Sequence, residues 1–570
     1  MMTRSPENFL SKNKFIQRSK FTKSIIPINS TQRTIPYPLS LDCLINIIEY
    51  LKNDRATLYS CVMVNRIWCK TSIPLLWCRP FEHQMIGKEV RILHTYISCL
   101  NFHDKAELID HGIRLPDMPN PIFDYPKYLR GFDNENFDRA IEDWMMMLCL
   151  TMDSDYEIKV KLCNKIIGNL LFSRTKGLKV LKIDRGEIED SCLMNIVNLN
   201  TEISEISEKE NNYNYYYEAF SELENFELKF DNDDEEKWML NSEYKARICS
   251  QLATYSRSLS HITISIDPFR RSPPPPFIVC QPIFELISSQ DKLQFLDIEE
   301  FWDEFTYTAI FYSSLQSQSH SITHLTLTNL TEFDLLLSVL VSCVNLQTLE
   351  FLMVPEPNME SFDYIMNPRK PLSVKKLISY DARSEPQLVT QSLGIIIKMA
   401  NKNLRALMLF EVTSELIDII GQNCPNIVDL YLTMSTSSIS HLLPFLPSLP
   451  LEYLFLWEDH SMAFTLDFVH KIARSIPVTL QNLEITFDMA PEVMYNFLWE
   501  CRAKFRELVL RVDGCDDEFL EVVTMYAKKS GGYLRTLKLW GLGIKFSVEA
   551  VEEAKKTIPR IVNLASYPLW

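Results

Sequence analysis

The sequence predicts an α/β chain: a three-helix module near the N-terminus, then a solenoid with parallel strands inside and helices outside. Three observations carry that expectation. A six-residue pattern, apolar-x-x-apolar-x-apolar, recurs thirteen times between Leu178 and Leu539. Stretches with helical periodicity fill the intervals between its copies. Three short apolar segments at helical spacing crowd into residues 39–81, ahead of the repeats.

The pattern opens with Leu178, Leu181 and Ile183, and further copies begin at Leu223, Leu259, Leu293, Ile322 and Leu346. A degenerate copy at Val374 and Leu377 follows, then copies at Leu404, Ile427, Leu451, Leu480, Phe505 and Leu534. From Leu293 onward successive copies start roughly 23 to 30 residues apart, the interval of leucine-rich repeats. Before it the gaps widen to roughly 34 to 45, as insertions would produce. The clearest helices are Thr465 to Ile476, Pro491 to Cys501 with Asp488 as a cap, and Asp516 to Lys528. Asn423, Cys424, Pro425, Asn426 and Ile427 precede one strand in the manner of cysteine-containing leucine-rich repeats. One strand and one helix cannot bury a core alone, so such units stack.

From Leu39 to Phe81 the chain reads LSLDCLINIIEYLKNDRATLYSCVMVNRIWCKTSIPLLWCRPF. Leu41, Leu44, Ile45, Ile48 and Leu51 share helical spacing, Asp42 suits the first turn, and Asn53-Asp54 offers the next cap. Asn65 separates a third segment, which Pro74 should end or kink so that Leu76 and Trp77 fold back on the other two. Three such helices are too small for a sizeable core, so a neighbour or partner is expected to complete them. Leu39, Asp42-Cys43-Leu44, Ile47-Ile48, Tyr50-Leu51, Val64-Asn65-Arg66, Trp68 and Leu76-Trp77 together resemble the F-box. The likeness is greatest to the expanded F-box families of filamentous fungi, whose third helix often runs W-C-x-x-x-x-P-x-L-W. Ser40 departs from the Leu-Pro that usually opens an F-box.

The resemblance implies a non-catalytic substrate receptor of a Skp–cullin–F-box ubiquitin ligase. Leu39, Ser40, Leu44, Ile47, Ile48, Leu51 and Trp68 would meet the Skp adaptor, and cullin would be reached through it. A target protein would lie on the repeats. The alternative is an F-box and repeat scaffold acting outside a ligase.

Composition narrows the rest. The chain holds only 13 glycines in 570 residues, about 2% against a usual ~7%. It contains no G-x-G-x-x-G, P-loop or G-x-S-x-G, each of which needs glycine where backbone turns sharply or meets phosphate. No cysteine has a local nucleophile signature, and neither enzyme nor cofactor is expected. His320 and His324 are four apart but lack a glutamate between them, and Asp231 to Glu236 lacks the turn glycine of a calcium loop. No metal site is expected. The net charge of −16 disfavours nucleic acid as the main ligand. The longest apolar runs, Trp144 to Met152 and Leu335 to Val344, are too short for a membrane span. Fourteen scattered cysteines without C-x-x-C, and no apolar leader, suit a reduced protein of the cytoplasm or nucleus.

The expected boundaries are a basic tail over 1–34, the F-box over 35–81, a helical linker over 82–173 and the repeats over 174–570. Insertions are expected near 205–220, 231–237 and 268–277. The tail carries Arg4, Lys12, Lys14, Arg18, Lys20, Lys23 and Arg33 against Glu7 alone, and reads as a solvated segment, a presequence or a nuclear address. Asn211 to Tyr217 is of low complexity, and Arg270 to Pro276 fits both a stiff loop and R-x-x-P-x-x-P.

Strand alternation also nominates a client surface. The apolar positions face the core, so the residue between the last two and the residue after them face the concave side. Those positions give Phe410, Tyr431, Phe455, Trp457 and Trp540, with Met408 and Lys538 beside them, as the substrate anchor. Earlier strands offer Asp297, Glu299, Thr326 and Thr328, which are small or charged.

Overall fold

The computed structural model describes residues 40–82, 89–117, 119–148, 155–184, 193, 218–230, 235–266, 277–298, 305–328, 332–354, 371–380, 386–457, 466–486, 490–511, 514–541 and 543–564. Leu39, Glu299, Asp488, the basic tail, Asn211 to Tyr217 and Arg270 to Pro276 lie outside these residues, as does most of each expected insertion. The chain divides into two compact units, Met1–Thr71 and Ser72–Trp570.

In the first unit, α1 (Leu41–Tyr50), α2 (Arg55–Val62) and the start of α3 (Arg66–Leu76) each begin on a polar cap. Ser40 Oγ accepts from the Cys43 N–H at 3.2 Å. Asp54 accepts from the Thr57 N–H at 3.0 Å and from its hydroxyl at 2.6 Å. Those bonds hold the Asp54 carboxyl below its ordinary value. Asn65 Oδ1 accepts from the N–H groups of Ile67 and Trp68 at 2.9 and 3.0 Å. Each cap satisfies donors that a helix start leaves unpaired. Leu44, Ile48, Leu58 and Cys61 form the buried side of this unit.

The boundary at Thr71 cuts through the segment expected as one F-box module over 35–81. Pro74 sits inside α3 rather than ending it. Trp77, expected to pack on the first two helices of the module, packs edge-on against Tyr96 at 5.3 Å and lies 4.4 Å from Tyr125. Two large rings in the second unit offer this indole more contact than a three-helix core can.

The second unit carries one parallel sheet, fifteen-stranded among the described residues, with strands in strict chain order. The strands are β1 (Gly131–Asp133), β2 (Val180–Ile183), β3 (Asn225–Phe230), β4 (His261–Ile266) and β5 (Phe295–Ile298). Next come β6 (His324–Leu327), β7 (Thr348–Phe351), β8 (Lys376–Ser379), β9 (Ala406–Val412) and β10 (Asp429–Met434). β11 (Tyr453–Trp457), β12 (Asn482–Ile485), β13 (Glu507–Arg511), β14 (Thr536–Trp540) and β15 (Arg560–Leu564) complete it. The middle apolar residue of every copy is in register with the next, from Phe132 opposite Leu181 to Leu537 opposite Ile561. These residues share one continuous core with the helices between the strands. The fold is a leucine-rich-repeat solenoid.

The sheet starts within the region expected as a linker. Leu129, Phe132 and Asn134 supply its first copy, with Asn134 buried in the last, normally apolar, position. The helices Thr465 to Ile476, Pro491 to Cys501 and Asp516 to Lys528 appear as Leu466–Ser475, Pro491–Glu500 and Asp517–Lys529. Ala490 rather than Asp488 holds the cap position of the second, and it makes no side-chain cap bond. Cys424 is buried, its thiol pushed up to about 12 by desolvation. Asn426 Nδ2 donates to the Lys402 carbonyl at 2.8 Å, tying adjacent repeats together.

Candidate functional site

Two surfaces gather the residues singled out by sequence. On the first unit, α1 buries some of its apolar residues and exposes others. Leu44 and Ile48 are buried, whereas Ile45 and Ile47 are 37% and 45% exposed and Tyr50 is 91% exposed. Tyr59 on α2, Met63 and Val64 just after it and Ile67 on α3 are exposed as well. Leu51 and Trp68 are half-buried, and Ser40 is exposed as a helix cap. Of the residues expected at the adaptor, Leu44 and Ile48 therefore belong to the inside of the free unit and Ile47 to its surface. Tyr50, Tyr59, Met63, Val64 and Ile67 were missed as surface candidates. Their signal was an apolar surplus beyond what one helix stripe can bury.

On the second unit, strand alternation puts Tyr431, Phe455, Trp457 and Trp540 on the sheet face turned away from the core. The structure joins them into one row of rings. Tyr431 stacks on Tyr453 at 4.5 Å and reaches Phe455 at 6.0 Å. Phe455 lies 6.3 Å from Trp457, and Trp457 stacks on Trp540 at 5.9 Å. The Arg511 guanidinium sits 5.5 Å from the Trp540 ring centre, a cation–π distance.

Phe410 does not join the row. β9 bulges at Glu411, whose φ of 50° lies in the left-handed region and whose N–H donates to Thr433 Oγ1 at 3.2 Å. The register against β10 shifts there. A bulge re-aims the neighbouring side chain, and Phe410 packs on Tyr380 at 5.5 Å instead.

The anchor is also less open than its pattern suggested. Phe455 is 4% exposed, Met408 and Trp540 are 9% exposed, and Phe410, Tyr431 and Trp457 are half-buried. Large rings on adjacent strands cover one another, so the row offers edges rather than whole faces. Tyr453 escaped the pattern because only two of the three outward positions per strand were considered. Glu484, in register with Phe455, is buried and accepts a 2.6 Å hydrogen bond from the Tyr453 hydroxyl. Burial first, then the charges of Asp429 and Glu484, pushes the Tyr431 phenol above its ordinary value. Lys538 is tied to Glu507 at 2.5 Å.

The earlier strands differ in character. Lys182 pairs with Glu227 at 2.7 Å, and Lys229 pairs with Asp184 at 3.1 Å. Thr326 and Thr328 are buried. Between the charged and aromatic ends, Phe295 stacks between His261 at 5.5 Å and His324 at 5.7 Å. Burial, reinforced by His261 and Lys376, holds the His324 imidazole below its ordinary value. Among the described residues no group of three or more His, Cys, Asp or Glu is placed to hold a metal ion. Among the same residues no helix is long and apolar enough to cross a membrane.

No family model matches the chain, and no curated protein matches it. Among solved structures it is similar to the leucine-rich repeat-containing protein LegL7 from Legionella pneumophila, at 11% identity and a TM-score of 0.29. That match covers 60% of this chain and 90% of the other. The solenoid assignment rests on this chain's own strand ladder and register.

Proposed function

We propose that this chain is a non-catalytic substrate receptor: the first unit docks a Skp-type adaptor, and the repeat unit holds a target protein for ubiquitin transfer. The observation that carries the reading is the exposure of seven apolar residues, Ile45, Ile47, Tyr50, Tyr59, Met63, Val64 and Ile67. Scattered exposed apolar residues need no explanation, but seven within 23 positions of a small capped unit favour a protein interface. Ile47, Tyr50 and Val64 also belong to the set that resembles the F-box, and that resemblance supplies the kind of partner. Bridging raises the local concentration of target lysines near a charged ubiquitin carrier, so chemistry belongs to the partners. The row from Tyr431 to Trp540 is the client surface in this reading, contacting through its ring edges.

Co-purification tests it. Intact protein should bring down adaptor and cullin, and an Ile47→Asp, Met63→Asp variant should bring down neither while its repeats stay folded by circular dichroism. Adaptor without cullin would favour a scaffold acting outside a ligase. Recovery of both partners by the variant would sink the docking assignment.

A further inference from the structure

The helical layer of the repeat unit carries a further surface, behind the sheet that bears the ring row. The Pro491–Glu500 and Asp517–Lys529 helices are neighbours, and a pocket of about 380 Å³ opens between them. Pro491, Glu492, Tyr495, Asn496, Glu518 and Val522 line it. Residues three and four apart share a helix face, so each helix turns one face to the pocket. Ligand sites run from ~300 to ~1,000 Å³, and the small end of that range suits one side chain.

The lining exceeds what folding needs. Tyr495 is 36% exposed on a helix whose Met494, Phe497 and Leu498 already supply its buried side. One turn on, Trp499 stacks on the Tyr495 ring at 4.9 Å with 17° between the planes. Lys529 Nζ lies 3.8 Å from the Trp499 ring centre and backs the stack. One face of Tyr495 is thus taken by Trp499, and the other turns to the preceding turn, where Pro491 and Glu492 line the pocket. Glu492 and Glu518 are exposed, and among the described residues neither carboxylate has a hydrogen-bond or ion-pair partner. Helix dipoles favour acids in a first turn, but they do not require two of them to border one pocket beside an exposed ring. Nearby carboxylates between helices are answered from within the chain: Glu500 by Arg474 at 2.9 Å and Glu553 by Lys528 at 3.5 Å. At Glu492 and Glu518 no cation of the described residues does so.

We infer that this pocket receives an arginine side chain carried by an exposed segment of a partner protein. The guanidinium plane stacks on the free face of Tyr495, and its N–H groups donate to the Glu492 and Glu518 carboxylates. Its methylene stem lies along Pro491 and Val522. Lysine fits less well, because a compact ammonium neither stacks on a ring nor offers a planar fork to two carboxylates. Arginine is also among the residues that most often dominate the energy of an interface. The inference goes beyond the adaptor and the ring row, and it depends on neither.

Saturation-transfer NMR on the full chain tests it with the peptide Gly-Ser-Arg-Ser-Gly and its lysine and citrulline counterparts. Citrulline keeps the shape of arginine and lacks its charge. Irradiating the protein should transfer saturation to the arginine methylenes about fivefold or more above those of lysine or citrulline. A Glu492→Gln, Glu518→Gln variant should lose that signal about fivefold or more at an unchanged melting temperature. Tyr495→Ala should lose it too, with Tyr495→Phe retaining it, since the phenyl face stacks as well. Raising salt from about 20 to about 200 mM should weaken transfer several-fold. The inference is overturned if the arginine peptide shows no transfer, if the lysine or citrulline peptide matches it, or if the paired glutamine variant keeps the signal. Adaptor affinity, read on the same preparation, is expected to stay constant across these variants, so failure here is separable from failure of the docking reading.

Discussion

Ile47 and Ile48 are neighbours on a helix of the first unit, one 45% exposed and the other fully buried. Leu454 and Phe455 are neighbours on a strand of the second unit, and both are buried. In the small unit a helix has one stripe to hide, and everything apolar outside that stripe stays in water. In the repeat unit a strand has two faces, and both are covered: helices pack behind Leu454, and other rings pack beside Phe455. An apolar surplus thus means different things in the two places. In the first unit it stays exposed, and in the second it is mostly self-contained.

The largest effects that bear on this contrast are core truncations. Leu454→Ala and Ile48→Ala should each cost about 2–5 kcal/mol, whereas Ile47→Ala should cost under about 0.5 kcal/mol. Hydrogen exchange of the amides in Leu41–Tyr50 reads the helical pair, and a urea midpoint reads the strand variant. Equal loss of protection for Ile47→Ala and Ile48→Ala would break the comparison.

Next in size is the packing of one repeat on another. A Cβ added at Gly421 would strike the Phe445 ring. Overpacking costs about 1–3 kcal/mol and alanine's better helix propensity returns about 1 kcal/mol, so Gly421→Ala should lose up to about 2 kcal/mol. An unchanged urea midpoint would mean that the repeats slide freely at this helix pair.

Smaller still is Ser40→Pro. The Ser40 φ of −60° suits proline, which lowers the entropy of the unfolded chain by up to about 1 kcal/mol equivalent. The exchange also removes the cap bond to Cys43, at a cost of about 1 kcal/mol. The two nearly cancel, so adaptor affinity should change less than about fivefold. A larger gain would show that the serine cap contributes little.

The smallest effect is alkaline. Because the Tyr431 pKa is raised in the folded chain, the native state binds that proton more tightly than the unfolded state does. Stability from this group is present below the ordinary tyrosine pKa of about 10 and falls as pH rises through the shifted value. Titration at 295 nm should lose a late-ionising component in Tyr431→Phe. Loss of an early component instead would place that ring in water and weaken the view of a self-covered row.

Much of the repeat architecture was legible because its signal is redundant. Thirteen copies of one pattern give thirteen strands in the expected places. β1 and β15 escaped because Asn134 and Asn563 occupy their last apolar position. The Glu411 bulge escaped because nothing in Leu-Phe-Glu-Val marks a left-handed residue, and Phe410 was consequently assigned to the wrong neighbours. Tyr431, Phe455, Trp457 and Trp540 could be read from alternation alone. Their burial could not, because it depends on which rings adjacent strands bring alongside. In the first unit the cap at Asp54 was readable from residue type, whereas Asn65 was read only as a separator and proves to cap α3. The division of α1 between Ile47 and Ile48 was not, since spacing identifies an apolar stripe but not where its edge falls.

The central claim is that the exposed apolar residues of the first unit meet a Skp-type adaptor. Isothermal titration of purified adaptor into the full chain tests it most directly. The account expects a Kd of about 1 μM or tighter for the intact chain. It expects roughly 100-fold weaker binding for Ile47→Asp, Met63→Asp, with the repeat-unit melting transition unchanged. Equal affinity for the two proteins, or no heat of binding from the intact chain, would contradict it.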